Sequence, residues 1–205
     1  MKIFFFLLGS LVFLWALLFS RPAARGGAPV AFASKDFECL LRAALHKQHG
    51  EPVYPRDLAR IRCLHLTPCK ASFSRWPRPD PCRGVQVLTS FSLEDLAHFP
   101  SLEQLHIMCM SLSGLDALAR LPLSSLSLTL CFLGDADCAP LGALTGLTAL
   151  DLSFNNLHDV SFLREMTALR SLSLAFNPLA SAAPLRTLPH LKQLDLSMTD
   201  CADDN

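Results

Sequence analysis

Apolar residues recur at a fixed interval along the second half of the chain. Leu147, Leu150, Leu152, Asn155, Leu157, Val160 and Leu163 occupy offsets 1, 4, 6, 9, 11, 14 and 17 of a unit whose frame refits at Leu169, Leu172, Leu174, Asn177, Leu179 and Leu185. Earlier in the chain, Leu102, Leu105, Ile107, Met110, Leu112, Leu115 and Leu118 fit it, as do Leu123, Leu126, Leu128, Cys131 and Leu133. Later, Leu191, Leu194, Leu196, Thr199 and Cys201 do so again. Two weaker units come first, one on Ile61, Leu64, Leu66 and Cys69, the other on Cys82, Val85, Val87 and Ser90 followed by Leu93, Leu96 and Phe99. Successive units begin 21, 20, 21, 24, 22 and 22 residues apart, the two-residue excess falling in 135–140.

Each unit joins two periods. Offsets 4 and 6 lie on one face of a strand, so Leu150 and Leu152 point inward while Asp151 and Ser153 point out. Offsets 11, 14 and 17 advance by three, the spacing of a tight helical or 3-10 return with one apolar edge. The expected fold is therefore α/β: a solenoid of about seven rungs over 61–205, with parallel strands on its concave face and short helical or 3-10 turns on the convex side. At about 4.8 Å per rung it would be roughly 30 Å long. No unit buries its own Leu set, so stability has to come from stacking. Buried Asn155 and Asn177 are expected to bond the backbone of neighbouring turns.

The segments LTALDLSFNNLHDVSFL (147–163) and LRSLSLAFNPLASAAPL (169–185) resemble leucine-rich repeats, specifically the short class of about 22 residues found in internalin-like bacterial proteins. The resemblance covers roughly residues 61–201. It departs from the family pattern at the Asn slot, which holds Cys69, Ser90, Met110, Cys131 and Thr199 in five units. Met110 cannot donate to a backbone ladder, so local irregularity is expected there.

An array needs covered ends. In FECLLRAALHKQHG, Phe37, Leu40, Leu41, Ala44 and Leu45 have helical spacing and Gly50 is a natural stop, which predicts an N-terminal helical cap over 34–60. The insertion at 70–81 is Pro-rich and has no Leu, and Phe73 and Trp76 in it are expected to pack on the cap or, in the alternative, to stand exposed. Beyond Cys201 no cap is legible, so residues 185–205 are expected to associate with another copy or to fray. Residues 1–33 read as a targeting segment: Lys2, an apolar run over 3–19 and an Ala31-Phe32-Ala33 cleavage pattern make it a cleaved signal peptide or a retained anchor that touches the membrane through 3–20. Either reading exports the rest, to the periplasm or the cell surface.

Charge and cysteines sharpen this picture. Lys plus Arg and Asp plus Glu are 18 each, so net charge is zero and a globally basic nucleic-acid binder is excluded. The balance is nonetheless bipolar, with +3 over 1–33, +5 over 34–83 and −8 over 84–205. Eight Cys in an exported chain predict a staple near the cap, chosen among Cys39, Cys63, Cys69 and Cys82. Cys131 and Cys201, at inward slots, are expected to remain thiols.

Catalysis finds no support: no Ser sits in a nucleophile elbow and no Gly-rich loop precedes a helix. No cofactor is expected. For a metal, His46 and His49 lie three apart, and Cys63, His65 and Cys69 lie close in sequence, but Cys69 falls in an inward slot past the strand, so no metal site is expected. What remains is the outward surface. Gln104, Ser125, His106, Ser127, Asp151, Ser153, Ser173, Asp195, Arg170 and Lys192 align in polar columns. They are flanked at offset 8 by Leu130, Phe154, Phe176 and Met198. The expectation is a non-enzymatic exported protein that holds a protein partner of unknown identity on this concave face, with a packing or scaffold module of the cell envelope as the alternative.

Overall fold

Residues 27–48, 50–67, 70–72 and 90–201 are described in the computed structural model, the backbone alone at 70–72. Strands β1 (Cys63–Thr67), β4 (Gln104–Met108), β6 (Ser125–Thr129), β7 (Ala149–Asp151), β8 (Ser171–Ser173) and β9 (Gln193–Asp195) stack in parallel, and β2 (Lys70–Ser72) pairs antiparallel to β1 at one edge. The register matches the offsets: Leu64, Leu105, Leu126, Leu150, Leu172 and Leu194 are cross-strand partners in turn. Leu66, Ile107, Leu128, Leu152 and Leu174 form the second buried row. The chain returns through 3-10 turns at Leu93–His98, Leu115–Arg120, Ala139–Ala143, Ser161–Glu165 and Ala183–Thr187, as an advance of three residues per turn requires. This is a leucine-rich repeat solenoid.

Among the described residues the sheet has seven strands, six of them parallel rungs. Cys63 pairs directly with Gln104 and Leu64 with Leu105, so β1 and β4 are neighbours in the sheet, and the unit expected on Cys82, Val85 and Val87 lies outside the described residues. The first rung is therefore composite: β1 supplies its strand, and its return comes from Leu93–His98 after the chain comes back through β3 (Ser90–Ser92). Residues 73–89, which include Phe73, Trp76 and Cys82, lie outside the described residues, as do Cys69, His49, residues 1–26 and the acidic tail at 202–205.

Asn155 and Asn177 form the anticipated ladder. Asn155 Oδ1 accepts from the Cys131 and Leu133 amides, and its Nδ2 donates to the Leu128, Leu152 and Ser153 carbonyls. Asn177, buried, takes the Leu157 amide and donates to Leu152, Leu174 and Ala175. Cys131 stands in with its thiol near the Ile107 and Thr129 carbonyls. At Met110 the solution differs. The chain there extends into β5 (Ser111–Ser113), which pairs in parallel with β3. With no side-chain amide to satisfy them, the turn backbones satisfy one another. The 24-residue unit spends its excess on a short helix, α3 (Asp135–Cys138), whose Asp135 carboxylate accepts from the His158 and Asp159 amides of the next rung.

The cap is built on α1 (Lys35–Ala44). Ser34 caps it by accepting the Phe37 amide, Asp36 and Glu38 occupy the first turn, and Arg42 near its end pairs with Glu38 at 2.7 Å. A second helix, α2 (Pro55–Leu58), leads into β1. Phe37 is fully buried, its ring 4.6 Å from Phe91 and 6.2 Å from Phe99. The folded cap begins before residue 34. Phe32 is only 5% exposed and packs edge-on against Phe37, Val30 donates to the Val53 carbonyl, and the Ala33 and Ser34 amides both donate to the buried Asp95 carboxylate at 2.7 and 3.0 Å. Cleavage before Ser34 would remove Phe32 from this core, so a boundary there cuts into the cap.

The candidate binding face

The strand ends recur in one backbone conformation. Cys109, Leu130, Phe154, Phe176 and Met198, all at offset 8, have φ between 55° and 60°, a left-handed geometry costing roughly 1 kcal/mol for residues with a Cβ. The ladder imposes it: each of the first four donates its amide to the residue at offset 7 of the next rung, Cys109 to Thr129, Leu130 to Ser153, Phe154 to Ala175 and Phe176 to Ser197. Because the backbone turns there, the side chains stand in solvent along one rim of the sheet. Phe154 and Phe176 are each 44% exposed and stack on each other at 4.2 Å, 10° from parallel, with Leu130 and Met198 exposed on either side.

Beside this ridge the polar columns are partly self-engaged. Asp151 Oδ1 accepts the Ser153 amide and hydroxyl, its Oδ2 is 3.4 Å from the Ser127 hydroxyl, and the Ser153 and Ser173 hydroxyls lie 2.7 Å apart. Ser153, expected to face out, is 7% exposed: it closes an Asp-x-Ser turn under Asp151 and offers no contact surface. Asp195 repeats the turn with Ser197, and those two hydrogen bonds hold its carboxyl below the usual carboxylate range. Gln104, Arg170, Lys192 and Asp195 are exposed, while Ser125, Ser127, Asp151 and Ser173 are half-buried in the floor.

At the β1 end of the face His106 stacks on His65, rings 4.4 Å apart and 4° from parallel, and Cys63 Sγ lies 3.1 Å from His65 Nε2. Burial chiefly, and the neighbouring His65, lower the His106 pKa, with Asp151 opposing them. The ligand atoms of Cys63, His65 and His106 all fall within 4.8 Å of one another. Sequence reasoning grouped Cys63 and His65 with Cys69 and missed His106, although both histidines hold offset 5. That shared offset was the available signal. Of the disulfide candidates, Cys39 is a free thiol, so it is not joined to Cys63; Cys69 and Cys82 lie outside the described residues. Burial pushes the Cys131 thiol up to about 11 and the Cys138 thiol to about 12. Among the described residues no helix is long and apolar enough to cross a membrane.

Residues 144–161 match the family described as Leucine Rich repeat. None of the curated proteins matches the chain. Among solved structures the fold is similar to internalin C2 from Listeria monocytogenes, at 19% identity and a TM-score of 0.52, covering 89% of this chain and 94% of that one. An internalin (inlF) from the same organism aligns at 19% identity and a TM-score of 0.49 over 86% of this chain and 61% of its own. The plant peptide hormone receptor RGFR1, solved in complex with RGF2, aligns at 25% identity and a TM-score of 0.44 over 56% of this chain and 21% of its own.

Proposed function

We propose that the chain, a leucine-rich repeat protein, is a non-enzymatic exported recognition module that holds a protein partner on its concave sheet, with the Phe154–Phe176 stack as the anchor. One observation carries this reading. Four large apolar side chains, Leu130, Phe154, Phe176 and Met198, are kept in solvent on consecutive rungs by a backbone geometry that itself costs stability. A solvated rim has no use for such a row, whereas an interface draws its energy from rigid aromatic anchors beside polar groups that set orientation. Arg170, Lys192, Gln104, His106 and Asp195 supply that polar surround with both signs of charge. Asp151, Ser127 and Ser173 form its floor.

Export rests on the apolar run after Lys2, and the periplasm or cell surface follows from it. A fusion reporter active only in the cytoplasm, placed after Asn205, is expected to be silent, and a signal there would overturn export. Recognition is tested with a photo-crosslinking residue placed at Phe176 or, as a convex control, at Arg164, in the native host. Discrete protein adducts from 176 alone support the reading; equal labelling from both positions overturns it. The double change Phe154→Asn, Phe176→Asn uses a residue that tolerates the left-handed geometry. It should abolish the adduct formed by a crosslinker at Ser173 and shift unfolding by no more than about 1 kcal/mol.

A further inference from the structure

We propose that Cys63, His65 and His106 form a binding site for a thiolate-preferring transition-metal cation of the Zn2+ class, tying the composite first rung to the second. The three residues come from adjacent parallel strands, with Cys63 and His65 on β1 and His106 on β4, held in register by the direct pairing of His65 with His106. Their ligand atoms already lie within 4.8 Å of one another, the thiol and His65 Nε2 at 3.1 Å. Around a tetrahedral zinc with bonds of about 2.0–2.3 Å, ligand atoms stand roughly 3.3–3.6 Å apart. The cluster therefore needs to close by only about 1 Å, within reach of rotation about the imidazole side-chain bonds. One thiolate with two imidazoles selects Zn2+ or a similarly soft ion, while Mg2+ and Ca2+ require oxygen ligands that this trio does not supply. Three protein ligands leave the fourth position to water or to an incoming group.

The location gives the site a task. The continuous array secures neighbouring rungs by the Asn155 and Asn177 ladders, whereas the corresponding slot of the second rung holds Met110, which has no amide to donate. Residues 68–89 separate β1 from its own return turn in sequence, and among the described residues the first rung meets the second through the β1–β4 and β3–β5 pairings and the Arg62–Glu103 ion pair at 3.0 Å. A cation bridging the two strands from the outward face would add a link there and also fix His106 at the edge of the binding face.

The test uses the full chain in detergent, reduced and freed of metal, titrated with Co2+. One equivalent should give a thiolate-to-cobalt charge-transfer band in the near ultraviolet, and Zn2+ should displace it. Cys63→Ser should remove the band, and His106→Gln should weaken Zn2+ binding at least about ten-fold while circular dichroism stays unchanged. Should His106→Gln misfold, His65→Gln repeats the measurement on the other ring. Zn2+ should also slow amide exchange at Leu64–Leu66 and Leu105–Ile107 in the unaltered protein. Binding that does not saturate at one equivalent, a charge-transfer band that survives Cys63→Ser, affinity unchanged by both histidine variants, or recovery of Cys63 in a disulfide from the unreduced chain would each overturn the site. None of these readouts depends on the partner proposed above.

Discussion

The array from Leu123 onward and the region before it solve the same packing problem in different ways. Past Leu123 each rung repeats its neighbour: a Leu row at offset 4, another at offset 6, and, at Cys131, Asn155 and Asn177, an offset-9 donor that reaches back to the preceding rung. Before it, the cap, β1 and the Leu93–His98 turn are joined by contacts that occur once. Phe37 fills the space against Phe91 and Phe99, and Asp95 collects two amides from the chain entering α1. The regular part distributes its stability over equivalent interfaces; the N-terminal part concentrates it in single residues, and substitutions there should cost more and spread less.

The sharpest way to break this contrast is Phe37→Ala, which empties a fully buried aromatic site and should cost about 4 kcal/mol. Hydrogen exchange should show protection lost in 30–67 and kept in 149–195. Simultaneous loss across both would mean that cap and array unfold as one unit. Within the array, Asn177→Ala strands the Leu157 amide and the Leu174 carbonyl and should cost about 3 kcal/mol, read as a shift in the urea midpoint. Asp95→Asn is smaller, about 2 kcal/mol, because the amide side chain retains one acceptor oxygen but turns an NH2 group toward the second backbone donor.

The thiols sharpen the comparison from the other side. An unfolded cysteine releases its proton near pH 9.0, whereas folded Cys131 and Cys138 hold theirs to about 11 and about 12. Between those values the unfolded chain binds fewer protons, so stability falls as pH rises, by up to about 1.4 kcal/mol per pH unit for each thiol. Urea midpoints at pH 8 and pH 10.5 should differ accordingly in the unaltered protein, and Cys138→Ala should flatten the difference. Exposed Cys109 should alkylate before buried Cys131 and Cys138 at pH 8. At the last described strand Leu194 is 45% exposed, and Leu194→Lys should lower any self-association seen by sedimentation while leaving a monomeric domain unchanged.

The periodic part of this molecule was legible because its information is local. Offsets 4 and 6 imply a strand face, steps of three imply a 3-10 turn, and an Asn at offset 9 has one backbone environment to satisfy. The ridge at offset 8 was legible as a row. Its left-handed backbone was not, since that follows from the ladder to the next rung. Ser153 illustrates the limit: alternation puts it outward, but the Asp151 carboxylate two residues earlier turns the chain and buries it.

What sequence alone determined is thus the repeat, the inward rows, the cap helix and the identity of the outward columns, each encoded within one unit. Tertiary structure decided which units touch. Pairing of β1 directly with β4 sets His106 on His65 and brings both histidines to Cys63. It also drew Phe32 into the core and Asp95 onto the entering chain. The physical reason is common to these cases: a segment that departs from the repeat has no periodic signal of its own, and its place is set by which distant surfaces it covers, a choice made by burial across the whole assembled stack.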